Sequence, residues 1–236
     1  MLYHHKTNTS NMQMTPICMV VPSSNSSTIP AELAHHSSWA ASCNLKLNPT
    51  KTSEIIFSRK RSIPPPPTPS VTRLPSIKIL GIITDDKLSF SEHVRSIVSS
   101  CNQTLYALRM LRQSGLDNDA LQTTFKSLIL SKLLYASPAW WGFANKTDWE
   151  QVEGFLRRSK KFGYYPENGP TAAELCQHSD HRLLHQILTD HHHSLFHLLP
   201  PEKPNPHNLR RRTHNLILPP KDEKNFIPRM LYDDIY

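Results

Sequence analysis

The sequence predicts an α+β chain: a small sheet early, a mainly α-helical bundle after it, and an irregular Pro-rich tail. Three observations predict this. Two short Ile-rich runs, Glu54 to Ser58 and Ile77 to Ile83, are bounded by turn-forming residues, which is the pattern of strands. From Ser89 onward apolar residues recur at three- and four-residue steps, the spacing of a helix with one buried face. After Leu199 the composition shifts to Pro200-Pro201, Arg210-Arg211-Arg212 and Pro219-Pro220, which breaks regular structure.

Taken in order, residues 1–16 are polar and aperiodic and are expected to be disordered. Ile17 to Val21 can form one strand, and Pro30-Ala31-Glu32 opens a helix carrying Leu33, Trp39 and Ala40 toward Cys43. Asn48-Pro49 makes a turn before the strand at 54–58. Pro64 to Pro67 then forms an extended connector. The strand at 77–83 closes this first part, with Gly81 at a bulge or a close backbone approach.

Ser89 or Ser91 is expected to cap the next helix, with Glu92 in its first turn where the helix dipole favours an anion. Val94, Ile97, Val98, Cys101, Leu105, Leu108 and Leu111 form its apolar face, and Gly115 stops it. Asp117 or Asn118 caps a second helix bearing Leu121, Phe125, Leu128, Ile129, Leu133 and Leu134. A third, from about Asp148 to Lys161, turns Val152, Phe155 and Leu156 inward, and Trp140-Trp141 packs between helices. The expected arrangement is an antiparallel bundle. Thr171 to Glu174 has capping-box spacing before a short helix, and Asp180 is placed to cap another. The tail is expected to be solvated or partner-dependent, with Phe226, Ile227, Met230 and Leu231 as a short docking helix.

Composition narrows the function. Hydrophobic content of 38% and a mean hydropathy of −0.47 are low for a compact globule, and 20 prolines against 6 glycines imply long irregular segments. A formal charge of +8 and a pI near 9.4 favour a polyanionic partner, RNA or DNA before a membrane. Cys18, Cys43, Cys101 and Cys176 are far apart, which fits reduced thiols rather than a disulfide framework. Ile17 to Val21 is too short for a signal peptide or membrane span, so cytoplasm or nucleus is the expected compartment.

Several segments in order carry a resemblance. LKLNPTKTSEIIFSRKR and KILGIITDDKLSFSEHV resemble the end of the palm and the start of the thumb in non-LTR (LINE-type) retrotransposon reverse transcriptases. The similarity continues through LSFSEHVRSIVSSCNQTLYALRMLR and FLRRSKKFGYYP to the final NFIPRMLYDDIY, covering roughly residues 18–236. The resemblance implies RNA-directed DNA polymerase ancestry. It assigns residues 17–88 to a remnant of the palm sheet, 89–165 to a thumb-like bundle, 166–199 to short C-terminal helices and 200–236 to a Pro/Arg-rich tail. Lys51, in NPTKT, matches the family's fourth polymerase motif and would lie near nucleotide phosphates. Leu80 and Gly81 match the strand that grips the primer end.

Polymerisation requires carboxylates converging on paired Mg²⁺ ions. The family's Tyr/Phe-x-Asp-Asp pair should fall near Thr15 and Pro16, and residues 1–31 contain no Asp or Glu. A coding run for Tyr-Ala-Asp-Asp-Thr-Tyr read one base out of phase yields MQMTPI, the sequence of Met12 to Ile17. The chain is therefore expected to be an inactive fragment of such an enzyme, with no catalytic residue and no metal of its own. The alternatives are a non-catalytic basic helical module that binds nucleic acid, and a non-functional product of a decayed mobile element. Asp85-Asp86 follows Thr84 and Ile83, where the motif wants an aromatic, and reads as a turn. Asp233-Asp234 fails the spacing and reads as a solvated turn.

Arg157, Arg158, Lys160 and Lys161, with Arg109 and Arg112 elsewhere on the bundle, are the candidates for tracking a phosphate backbone. Phe162, Tyr164 and Tyr165 follow closely and can stack on bases. Arg210 to Arg212 offer a second basic contact or a solvated tail. Cys176, His178, His181 and His185 suggest zinc, but a single cysteine without a second ligand pair at defined spacing favours surface histidines.

Overall fold

A computed structural model describes residues 29–45, 52–57, 66–68, 71–203 and 214–233. The chain divides into two compact units, Met1–Pro75 and Ser76–Tyr236. In the first, helix α1 (Ile29–Ser42) has Pro30 as its second residue and Glu32 in its first turn. It ends where Asn44 takes the left-handed conformation (φ 58°). Leu45 N–H then donates to Ala40 O (2.8 Å) and Asn44 N–H to Ala41 O (3.1 Å), which completes a Schellman closure.

The strand expected at 54–58 is shorter. β1 (Ser53–Glu54) pairs in parallel with β2 (Thr72–Arg73), and Phe57 is left 46% exposed. A strand extends only as far as its partner, and the pairing ends at Glu54–Arg73. The Glu54 carboxylate accepts from Thr68 Oγ1 (2.6 Å) and Arg73 Nε (2.8 Å). Burial raises its pKa, but these hydrogen bonds and the Arg73 charge more than offset that and hold it below the ordinary value. Pro66 and Pro67 carry no regular structure. Residues 1–16, the strand proposed at Ile17 to Val21 and Pro64-Pro65 lie outside the described residues.

The second unit opens on a hairpin, not on the single strand expected at 77–83. β3 (Ser76–Ile79) runs antiparallel to β4 (Ile82–Asp85), with Ile79 opposite Ile82. Leu80 and Gly81 form the two-residue turn, both at positive φ (47° and 91°), the backbone of the turns that match strand twist. The hairpin packs on α2 (Ser91–Gln113) and so groups with the helices. Asp85 takes the turn role: its Oδ1 accepts from Lys87 N–H (3.0 Å) and Ser89 N–H (2.7 Å).

Neither serine caps α2. Phe90 occupies that position without a side-chain bond, and Glu92 sits in the first turn. Gly115 (φ 94°) ends the helix with a second Schellman closure, Leu116 N–H donating to Leu111 O (3.1 Å) and Gly115 N–H to Arg112 O (3.0 Å). Asp117 caps α3 (Asn118–Thr124) through Ala120 N–H. The chain continues through a π-helical stretch (Phe125–Leu130) into α4 (Ser131–Leu133). The extra residue per turn shifts the phase of the apolar stripe. Phe125, Ile129 and Leu133 stay buried, while Leu128 is 52% exposed.

After α5 (Ser137–Trp140) and a 3₁₀ turn (Trp141–Phe143), α6 (Lys146–Lys161) starts with a capping box between Asn145 and Asp148. Asp148, 3% exposed, also accepts from Ser91 Oγ (2.8 Å), and Asn145 Nδ2 donates to that hydroxyl (2.9 Å). The N-termini of α2 and α6 are thus tied together. Their C-termini are too, through Arg112 Nη1 and Phe162 O (2.7 Å). The two helices run parallel, as the first and third helices of an up-down-up antiparallel bundle do. The reason is the connection: α3 to α5 carry the chain back to the start of α2 before α6 begins.

The two short helices expected after Thr171 are one, α7 (Ala172–Thr189), opened by the Thr171–Glu174 capping box. Asp180 lies mid-helix and fully buried rather than at a cap. The tail is packed where it is described. Glu202 bridges Leu216, His214 Nε2 lies 3.1 Å from Leu231 O, and α8 (Phe226–Asp233) buries Met230 and Leu231. Asp233 is exposed at the end of α8, where it lies 3.3 Å from His181, and Asp234 lies outside the described residues. Among the described residues no helix is long and apolar enough to cross a membrane.

Candidate nucleic-acid interface

The parallel alignment of α2 and α6 gathers their basic C-terminal turns at one end of the unit. Cations there are favoured by the helix dipoles and extend from the negative ends. Arg109 lies one turn before Arg112 on α2, and Arg112 contacts Phe162 at the end of α6. Arg109, Arg157, Arg158 and Lys161 are exposed and form no ion pair among the described residues. Phe162 beside them is 56% exposed. Gly163 (φ 73°) closes α6, with Tyr164 N–H on Ser159 O (3.0 Å), and this tight exit fixes the ring of Phe162 outward and Tyr164 inward.

Two of the six expected basic contacts are structural. Arg112 places its guanidinium 3.8 Å from the centre of the Tyr164 ring as it binds Phe162 O. Lys160 Nζ donates to Gly169 O and lies 5.5 Å from the Tyr165 ring. Tyr164 and Tyr165 are not base-stacking platforms, because they are 4% and 2% exposed. Tyr165 stacks on Phe125 at 5.5 Å and donates to Pro170 O (2.9 Å). Burial, then the charges of Glu153 and Glu174, push its hydroxyl pKa up. Arg112→Ala is therefore expected to cost about 2 kcal/mol of stability and to leave the salt dependence of nucleic-acid binding unchanged. Urea unfolding and a salt titration check both halves.

Leu80 and Gly81 stand together at the hairpin tip, Leu80 78% exposed. Lys51 and Arg210 to Arg212 lie outside the described residues. No three His, Cys, Asp or Glu side chains among the described residues converge as metal ligands. Of the zinc candidates, His181 is engaged by Asp233 and Cys176 is buried. Burial pushes the Cys176 thiol up to about 12 and that of Cys101 to about 11, so neither is a ready thiolate.

The sequence reading missed a buried polar node. Asp180 Oδ2 accepts from Trp141 Nε1 (2.8 Å), Arg229 Nη2 (2.8 Å) and Arg229 Nε (3.2 Å). The Arg229 guanidinium lies 4.4 Å from the centre of the Trp141 ring and donates to Lys224 O (2.8 Å). Gly142 makes room for it, since a Cβ there would come within 1.9 Å of Arg229 Nη1. The node fastens α8 to α7 and the 3₁₀ turn. Its one advance signal is Arg229 inside the apolar run of a short helix.

Neither a family model nor a solved structure matches the chain. Over 64 residues, 26% of its length, the chain is 36% identical to the probable RNA-directed DNA polymerase from transposon X-element of Drosophila melanogaster. The match spans 7% of that relative. This partial similarity supports a relationship between the chain and reverse transcriptases.

Proposed function

We propose that the chain corresponds to the end of the palm, the thumb and the tail of a LINE-type reverse transcriptase, and that it binds RNA or DNA without polymerising. One observation carries the binding reading: Arg109, Arg157, Arg158 and Lys161, exposed and without an ion pair among the described residues, lie with exposed Phe162 in the last two turns of the parallel helices α2 and α6. Such a surface holds phosphates by charge and one base or sugar by contact with the ring. The absence of Asp and Glu from residues 1–31 supports the non-catalytic half of the reading.

Fluorescence anisotropy of the full chain with labelled single-stranded 20-mers of RNA and DNA in rising KCl tests this. Four phosphate contacts predict a log–log salt slope of about −3, at roughly −0.7 per contact for single strands. Reversing Arg109, Arg157, Arg158 and Lys161 to Glu is expected to weaken binding by more than about a hundredfold. A flat salt response, or a reversed variant that binds like the original, would favour a non-functional product of a decayed element.

A further inference from the structure

An open cleft of about 450 Å³ lies between the hairpin tip, the first half of α2 and the π-helical stretch. Gly81, His93, Leu128, Ser131, Lys132 and Tyr135 are among its lining residues, and no carboxylate is. Its volume suits a small organic ligand. Leu128 and Tyr135 leave 52% and 53% of their surface uncovered, a half-open apolar wall. Beside it Lys132 Nζ contacts Ser100 Oγ at 3.0 Å, which leaves ammonium donors free.

The cleft is shaped around Tyr135. Its hydroxyl donates to Leu80 O (3.1 Å), pinning the ring across the hairpin tip. A Cβ on Gly81 would come within 3.3 Å of the ring edge, at a φ of 91° that disfavours any side chain. The floor carries no negative charge either. His93 is 2% exposed and accepts from Ile83 N–H at 3.4 Å through Nδ1. Burial and then the Lys78 charge lower the pKa of the ring, which disfavours its charged form. An apolar and aromatic wall next to a cation, with no carboxylate among the lining residues, fits a ligand with one flat π-face and one anion, which is the chemistry of a nucleotide.

We propose that this cleft receives a single unstacked nucleotide, its base against Tyr135 and Leu128 and its phosphate on Lys132. The proposal rests on the nucleic-acid reading above and uses none of the four cations that carry it.

The test measures binding of labelled single-stranded RNA and DNA 20-mers, and separately of adenosine 5′-monophosphate, to the full chain. Tyr135→Ala is expected to weaken strand binding about tenfold with an unchanged salt slope, the scale of one lost stacking contact. Tyr135→Phe, which keeps the ring but loses its bond to Leu80 O, should bind between the original and Tyr135→Ala. Lys132→Gln should reduce the salt slope by about 0.7, the share of one single-strand phosphate contact. Adenosine 5′-monophosphate that binds alone and depends on Tyr135 would make the free nucleotide the ligand. Failure of the mononucleotide, with Tyr135-dependent strand binding, assigns the cleft to a strand. Strand binding that all three variants leave untouched overturns the cleft and spares the basic end. A chain that binds no strand overturns both.

Discussion

Replacing Arg229 with Met is expected to lower stability by about 3–5 kcal/mol, the cost of breaking a buried ion pair from one side. Asp180 is 0% exposed, and its Oδ1 has no hydrogen-bond partner among the described residues. Removing Arg229 strips two of the three donors from Oδ2 and leaves Trp141 Nε1 alone. The loss is pH-dependent with a definite sign. Burial already raises the Asp180 pKa, and the Arg229 charge and hydrogen bonds are what mainly oppose that rise. Without Arg229 the native pKa climbs further. A native pKa above the unfolded one means that the folded chain holds the proton more tightly, so stability falls as pH rises through the interval between them. The variant should therefore be closest to the parent below the ordinary carboxylate value and furthest from it near neutrality. Urea unfolding at both ends of that range measures this. The double replacement Asp180→Leu with Arg229→Met should recover much of the loss, because an apolar pair leaves no buried charge. A cost below about 1 kcal/mol for the single variant would mean that the pair behaves as an exposed one.

What the sequence made legible was local chemistry. The α2 stripe, the Gly115 stop, the Asp117 cap and the Thr171–Glu174 capping box depend on residues within a turn of one another; the last three appear as read, and the stripe does up to Leu108, with Leu111 45% exposed. What escaped depends on residues far apart. The Leu80-Gly81 turn lacks the Asn or Asp that usually marks a two-residue hairpin, so two four-residue strands read as one run. The tie between the starts of α2 and α6 rests on Ser91 meeting Asp148, fifty-seven positions away. Asp180 looked like a cap because Asp commonly serves as one. Its partners, Trp141 and Arg229, stand thirty-nine and forty-nine positions distant. The candidate interface divides the same way. Positive charge marked all six basic residues alike, and the tertiary fold alone sets Arg112 and Lys160 apart as clamps on Tyr164 and Tyr165.

Phe125→Ala is expected to cost a further about 3–5 kcal/mol, the range for deleting a buried aromatic ring. Phe125 is fully buried at the first position of the π-helical stretch. It stacks on Phe155 (6.4 Å, 11°) and on Tyr165 (5.5 Å, 24°), so its loss removes two ring contacts as well as apolar area. Phe125→Leu keeps most of the volume and should cost markedly less, about 1.5 kcal/mol or below. The two variants separate cavity formation from any effect of the π-helical backbone, since neither introduces a residue that breaks helices. A second readout follows from the stack. Burial is the leading cause of the raised Tyr165 pKa. Opening a cavity beside that ring lets water in, so tyrosinate should form at lower pH in Phe125→Ala than in the parent. Ultraviolet titration of the folded variant detects the shift. If stability falls as expected while the tyrosine titration stays put, the ring of Tyr165 is held by Pro170 O and Lys160 rather than by Phe125. The end of α6 would then owe its geometry to polar contacts more than to the core.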